Sequence, residues 1–154
     1  MRCPLKPMLL WFVLIFVSQN SSASNLFMAR TNLGFPEAMS MLQESIKKHN
    51  YTVSRVQRID IGLTSLGYKT DKYRVVFYGR IDEYQKIIRA YPNMIAFLPL
   101  KISIFAENND TIITALNPSN YKQYIKNSEL KKLFDVYSHD LKNIFKDFRQ
   151  TFEP

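Results

Sequence analysis

Apolar positions follow two regimes along this chain. Met8 to Val17 (MLLWFVLIFV) is an unbroken run of ten apolar residues, whereas from Ser24 onward apolar and polar positions recur with the periods of strands and helices. Leu26 to Thr31 (LFMART) reads as a strand and Asn32-Leu33-Gly34 as a turn. Phe35, Met39, Leu42 and Ile46 then repeat at three- and four-residue spacing, which predicts a helix with one apolar face. Pro36 suits its first turn, where a missing amide hydrogen costs nothing. Lys47, Lys48 and His49 suit the carbonyl end, and Asn50 is a left-handed terminator. Thr52 to Ile61 reads as a long strand with uneven alternation, and Gly62 to Lys72 as a polar connection with room for one short helical turn.

Tyr73 to Tyr78 (YRVVFY) is aromatic and β-branched, hence a strand. Asp82 is expected to cap a short helix with Tyr84, Ile88 and Tyr91 inward and Ile87 beside them, ended by Pro92. Leu100, Ile102 and Ile104 alternate with Lys101 and Ser103, so this strand is half-buried, and Thr111 to Leu116 is its hairpin partner across Glu107 to Asp110. Ser128 is expected to cap the last helix, whose stripe is Leu130, Leu133, Phe134, Tyr137, Leu141, Ile144, Phe145 and Phe148. The order βαββαββα with hairpins predicts an α+β fold, an antiparallel sheet with helices packed on one face.

The ten-residue run changes what the rest can do. It is half the roughly 20 residues needed to span a membrane. Arg2 and Lys6 precede it, and a small, polar stretch follows, the layout of a signal peptide. Ser21 and Ala23 are the small residues that direct cleavage after Ala23, so residues 1–23 are expected to be removed, leaving no membrane span. Periplasmic or secreted localisation follows. The alternatives are an uncleaved anchor and a buried N-terminal element. Residues 24–154 then form a single domain, long enough to build its own core. The one cysteine, Cys3, leaves with the signal segment, so the mature domain is expected to use no disulfide, thiol nucleophile or thiolate ligand.

Removing Arg2 and Lys6 from 21 basic residues leaves 19 against 13 acidic ones, a net charge of about +6. Anionic partners are favoured. The longest basic runs are only the pairs Lys47-Lys48 and Lys131-Lys132, which an ordinary solvated surface explains. With charge so dispersed, and with export, nucleic acid is not an expected partner.

Candidate chemistry is sparse. His49 and His139 are the only histidines, and neither stands with acids at metal-ligand spacing, so no metal or cofactor is expected. Asp135 and His139 are four apart on one helix face, with Asn143 a turn further on. They can form a surface ion pair or, with Asp60, serve a hydrolase in which a carboxylate orients an imidazole. Tyrosine is abundant: Tyr73, Tyr78, Tyr84 and Tyr91 fall among Arg74, Arg80 and Arg89. Such a set makes either an anion-binding surface or a tyrosine-lined edge of the core. Arg74, Tyr78, Arg80 and Tyr84 are the ligand-binding candidates. Phosphate loops, nucleotide fingerprints and serine elbows are absent.

Several segments together resemble the domain-of-unknown-function 302 family over Phe35 to about Phe148. They are Phe35-Pro36-Glu37-Ala38, Ile59-Asp60-Ile61, Tyr73-Arg74-Val75-Val76, Tyr91 to Pro99 (YPNMIAFLP), Asn117-Pro118 and the long last helix. The resemblance implies an α+β domain that often pairs as a homodimer and has no settled activity. It also implies cysteines near the end of the third strand and directly after Leu-Pro. Here Gly79 or Arg80 and Leu100 stand at those places, so thiol or metal chemistry does not transfer. The expected function is non-enzymatic: binding a small apolar or anionic ligand or an envelope protein, with the hydrolase using Asp60, Asp135 or His139 as the alternative.

Overall fold

The computed structural model describes residues 25–150; the expected signal segment and its expected cleavage point lie outside them. Strands β1 (Leu26–Thr31), β2 (Thr52–Arg58), β3 (Tyr73–Gly79), β4 (Leu100–Glu107) and β5 (Asp110–Leu116) form one sheet in the order β1-β5-β4-β3-β2. Every neighbouring pair is antiparallel. Helices α1 (Phe35–Lys48), α2 (Ile59–Ser65), α3 (Ile81–Ala90) and α4 (Ser128–Gln150) complete the α+β fold, with 3₁₀ segments at Pro92–Ala96 and Pro118–Tyr124. Among the described residues no helix is long and apolar enough to cross a membrane.

The register explains which face carries the core. Val76 and Tyr78 of β3 lie opposite Ile102 and Leu100 of β4, Ile104 lies opposite Ile113 of β5, and Ile113 opposite Ala29 of β1. All seven are buried on one face, under α1 and α4. The stripe of α4 meets them: Phe134, Tyr137, Leu141, Ile144 and Phe148 are essentially inaccessible, as are Leu42 and Ile46 of α1. Each such side chain contributes about 1.5 to 3 kcal/mol by burial, which anchors α4 without any functional role. Asn50 ends the α1 connection at φ 61°, as its position predicts.

Three local expectations are corrected. The strand read to Ile61 ends at Arg58, and Ile59-Asp60-Ile61 opens α2. Its period-two pattern was misleading because Asp60 turns back to pair with Arg74 on β3. Asp82 does not cap α3: Arg80 holds the N-cap position without a side-chain cap, while Asp82 lies in the first turn, where its charge suits the helix's positive end. The inner face of α3 is Tyr84 and Ile87, with Tyr91 38% exposed. For α4 the cap is Asn127, whose Oδ1 accepts from the Leu130 amide at 2.8 Å, one residue before the expected Ser128.

Candidate functional site

The four candidate ligand-binding residues divide by side-chain type, two buried tyrosines and two paired arginines. Tyr78 and Tyr84 are 1% and 4% exposed and join Tyr51 and Tyr137 in a buried aromatic cluster. The Tyr51 ring meets those of Tyr78 and Tyr137 edge-on at 5.4 and 6.4 Å, and Tyr84 meets Tyr137 at 6.0 Å. Burial raises all four phenol pKa values far above normal, so these groups stay neutral. Three donate inside the protein. Tyr51 donates to Asp140 at 2.7 Å, Tyr137 to Glu83 at 2.6 Å, and Tyr84 to the Tyr78 carbonyl at 3.3 Å.

Both candidate arginines carry a carboxylate partner. Arg80 donates to Asp140 at 3.0 Å and lies 4.5 Å over the Tyr51 ring. Arg74 pairs closely with Asp60 and lies 5.6 Å over Phe35. The Arg74 hydrogen bond holds the Asp60 carboxyl below the usual range.

The Tyr78 hydroxyl differs from the other three. Among the described residues it has no hydrogen-bond partner. Tyr78 lines a cavity of about 170 Å³ at the end of the sheet, together with Leu100, Phe97, Tyr121, Leu141 and Lys101. The 3₁₀ segment Pro92–Ala96 and the Leu98-Pro99 bond, which is cis, bring Phe97 to one side. Asn117 accepts from the Ser119 amide at 3.0 Å, starting the segment that brings Tyr121 to the other. Phe97 and Tyr121 rings lie 4.8 Å apart.

The other candidates do not converge. Asp60 is engaged by Arg74. Asp135 accepts from Lys122 at 2.6 Å and Ser119 at 2.8 Å rather than from His139, and the Lys122 bond lowers its pKa. His139 is exposed beside the groove between β1 and α4. His49 and Lys48 both pair with Asp147, at 3.0 and 2.9 Å. Among the described residues no group of three His, Cys, Asp or Glu side chains is placed to hold a metal.

Residues 27–148 match the sequence model of the family described as "Domain of unknown function DUF302". The chain belongs to the DUF302 family. The crystal structure of an uncharacterized conserved protein DUF302 from Bacillus stearothermophilus shares the fold at a TM-score of 0.73 and 19% identity, covering 82% of this chain and 100% of that one. No match is found among curated proteins. Within the DUF302 frame, the two cysteine places implied by the resemblance are neighbours, since Tyr78 pairs with Leu100 across β3 and β4. At Gly79 a side chain has no room. A Cβ there would press into the Tyr84 ring, 2.7 Å from Cδ2, while the second place holds the larger Leu100, buried in the cavity wall. The tyrosine cluster thus occupies the region where such relatives would carry sulfur.

Proposed function

We propose that this is an exported, non-enzymatic domain of the cell envelope that binds a small, single-ring ligand carrying one hydroxyl or carboxylate. The observation behind it is the buried Tyr78, which lines a cavity of about 170 Å³ and whose hydroxyl has no hydrogen-bond partner among the described residues. A buried hydroxyl normally finds a partner, because leaving one unmade costs about 1 to 3 kcal/mol. A ligand atom supplies the missing one. The volume is close to that of an engineered apolar cavity, about 150 Å³, that takes benzene. Lys101 in the lining favours a hydroxyl or carboxylate over an amine.

Native mass spectrometry of the protein recovered from the envelope tests both halves of the reading. The expected result is a polypeptide mass beginning at Ser24 with a low-mass adduct, lost from Tyr78→Phe. Intact residues 1–23, or an adduct indifferent to Tyr78, contradicts it. Sedimentation of the same material reads the homodimer implied by the family resemblance as a doubled mass.

A further inference from the structure

A second surface stands apart from the Tyr78 cavity. The groove between β1 and α4 has a volume of about 690 Å³, and its walls include Phe27, Met28, His139, Lys142, Lys146 and Arg149. Among the described strands β1 lies at the edge of the sheet, beside β5. Its backbone alternates accordingly: the Asn25 carbonyl accepts from the Asn117 amide at 3.0 Å and the Phe27 carbonyl from Thr114 Oγ1 at 3.1 Å, both toward β5. The Met28 carbonyl accepts instead from the Arg149 guanidinium across the groove. An outward edge acceptor is therefore held by a flexible side chain where a further strand would supply an amide.

The facing bank of α4 is electrostatically one-sided. Lys142, Lys146 and Arg149 follow at four- and three-residue spacing, with His139 at the far end, and all four are exposed. Like charges at these spacings repel by a few tenths of a kcal/mol per pair. The acids of the same helix are spent elsewhere: Asp135 on Lys122, Asp140 on Arg80 and Tyr51, Asp147 on Lys48 and His49. Among the described residues Lys142 and Lys146 have no ion-pair partner. The helix dipole favours Arg149 in the last turn, but its effect fades within one turn and does not reach Lys142. From His139 to Arg149 the stripe is about 15 Å long at 1.5 Å per residue, the span of four to five strand residues.

We propose that this groove takes an extended peptide segment of a partner protein, alternating acidic and apolar residues, as a sixth strand on β1. Period-two alternation sends one set of side chains to the helix face of the sheet, toward Lys142 and Lys146, and the other to the uncovered face beside Met28, which is 51% exposed. Acidic residues satisfy the first set and apolar residues the second. Main-chain bonds along the edge give affinity, and the cationic bank gives the choice of sequence.

The test is a fluorescence-anisotropy titration of the full exported chain with a synthetic peptide of alternating Glu and Val. Three comparison peptides accompany it: one with the same composition in two blocks, one with Lys in place of Glu, and one N-methylated at alternate amides. The alternating acidic peptide binds, and each comparison peptide binds about tenfold more weakly or worse, the size of one charge-assisted hydrogen bond. The double variant Lys142→Glu/Lys146→Glu, at exposed helix positions, inverts the preference between Glu and Lys peptides. Lys142→Gln/Lys146→Gln, with no new charge, weakens the Glu peptide without creating a Lys preference. Tyr78→Phe leaves all these affinities unchanged, separating this surface from the cavity. Equal binding of the blocked or N-methylated peptide overturns strand addition. Unaltered preference in both Lys142/Lys146 variants overturns the assignment to this groove, and preferential binding of dodecanoate with the same residues required overturns the peptide as its occupant.

Discussion

Replacing Gly79 with alanine adds one methyl group at the end of β3, against the Tyr84 ring of α3. The new Cβ would lie 2.5 Å from Tyr84 Cζ and 2.7 Å from Cδ2, closer than side-chain atoms approach. The obstacle is an aromatic ring, 4% exposed, held by its own hydrogen bond to the Tyr78 carbonyl and edge-on to Tyr137. It cannot yield like the end of a flexible chain. Forced overpacking of this kind costs about 1 to 3 kcal/mol, and expelling the ring altogether approaches the 3 to 5 kcal/mol typical of removing a core aromatic. Gly79→Ala is therefore expected to lower stability by about 2 to 4 kcal/mol, from a total of about 5 to 15 kcal/mol for a domain. Urea unfolding followed by circular dichroism measures it. The decisive comparison is the double-mutant cycle with Tyr84→Ala, in which Gly79→Ala should cost less than about 1 kcal/mol because the clash is gone. An equal cost in both backgrounds would refute the steric reasoning and leave backbone freedom as the reason for glycine.

Alkali tests the buried tyrosines: Tyr51, Tyr78, Tyr84 and Tyr137 have raised folded pKa values, so stability is present below the unfolded phenol pKa near 10 and is lost above it. Each phenol that ionises only on unfolding removes about 1.4 kcal/mol per pH unit, about 5 for the four together, and phenolate absorbance should rise in one step with loss of ellipticity. Independent titration of these groups in the folded protein would contradict that. On the acid side, Asp60, Asp135 and Asp147 have depressed folded pKa values, so their stabilisation is full above the unfolded carboxylate pKa near 4 and disappears as pH falls through the folded values. Asp60→Asn should flatten that acid slope in pH-dependent urea unfolding; an unchanged slope would count against the Arg74 pair. Asn127→Ala should cost about 1 kcal/mol by loss of the α4 cap, with Ser128→Ala nearly neutral; thermal melts that reverse the order would restore Ser128 as the cap.

What the sequence made legible was governed by local rules. Leu26–Thr31, the Asn50 terminator, the Glu107 to Asp110 hairpin and the α4 stripe are all where periodicity and turn chemistry predict. The errors came where tertiary pairing outweighed pattern. Ile59-Asp60-Ile61 alternates like a strand but turns into α2 because Asp60 meets Arg74. Asp82 and Ser128 are good caps by type, yet Arg80 and Asn127 occupy the geometric position.

The tyrosine excess corresponds to the buried cluster of Tyr51, Tyr78, Tyr84 and Tyr137, and Arg74, Val76 and Tyr78 share one face of β3. Parity does not say which hydroxyl finds a partner. That depends on Asp140, Glu83 and the Tyr78 carbonyl, which reach Tyr51, Tyr137 and Tyr84, while the Tyr78 hydroxyl has no partner among the described residues. The β1–α4 groove joins segments more than 100 residues apart, and its one-sided charge emerges only once the acids of α4 are seen to face other elements.

The central claim is that the cavity beside Tyr78 is a ligand site, and a nuclear magnetic resonance titration with phenol, on protein labelled at its tyrosine rings, tests it most directly. The Tyr78 and Tyr121 signals should shift saturably while that of exposed Tyr68 stays fixed. Tyr78→Phe should weaken phenol about two- to tenfold, one neutral hydrogen bond, with no loss of stability because the hydroxyl it removes had no protein partner. Uniform, non-saturating shifts across all tyrosines, or Tyr78→Phe binding phenol as well as the native chain, would contradict the account.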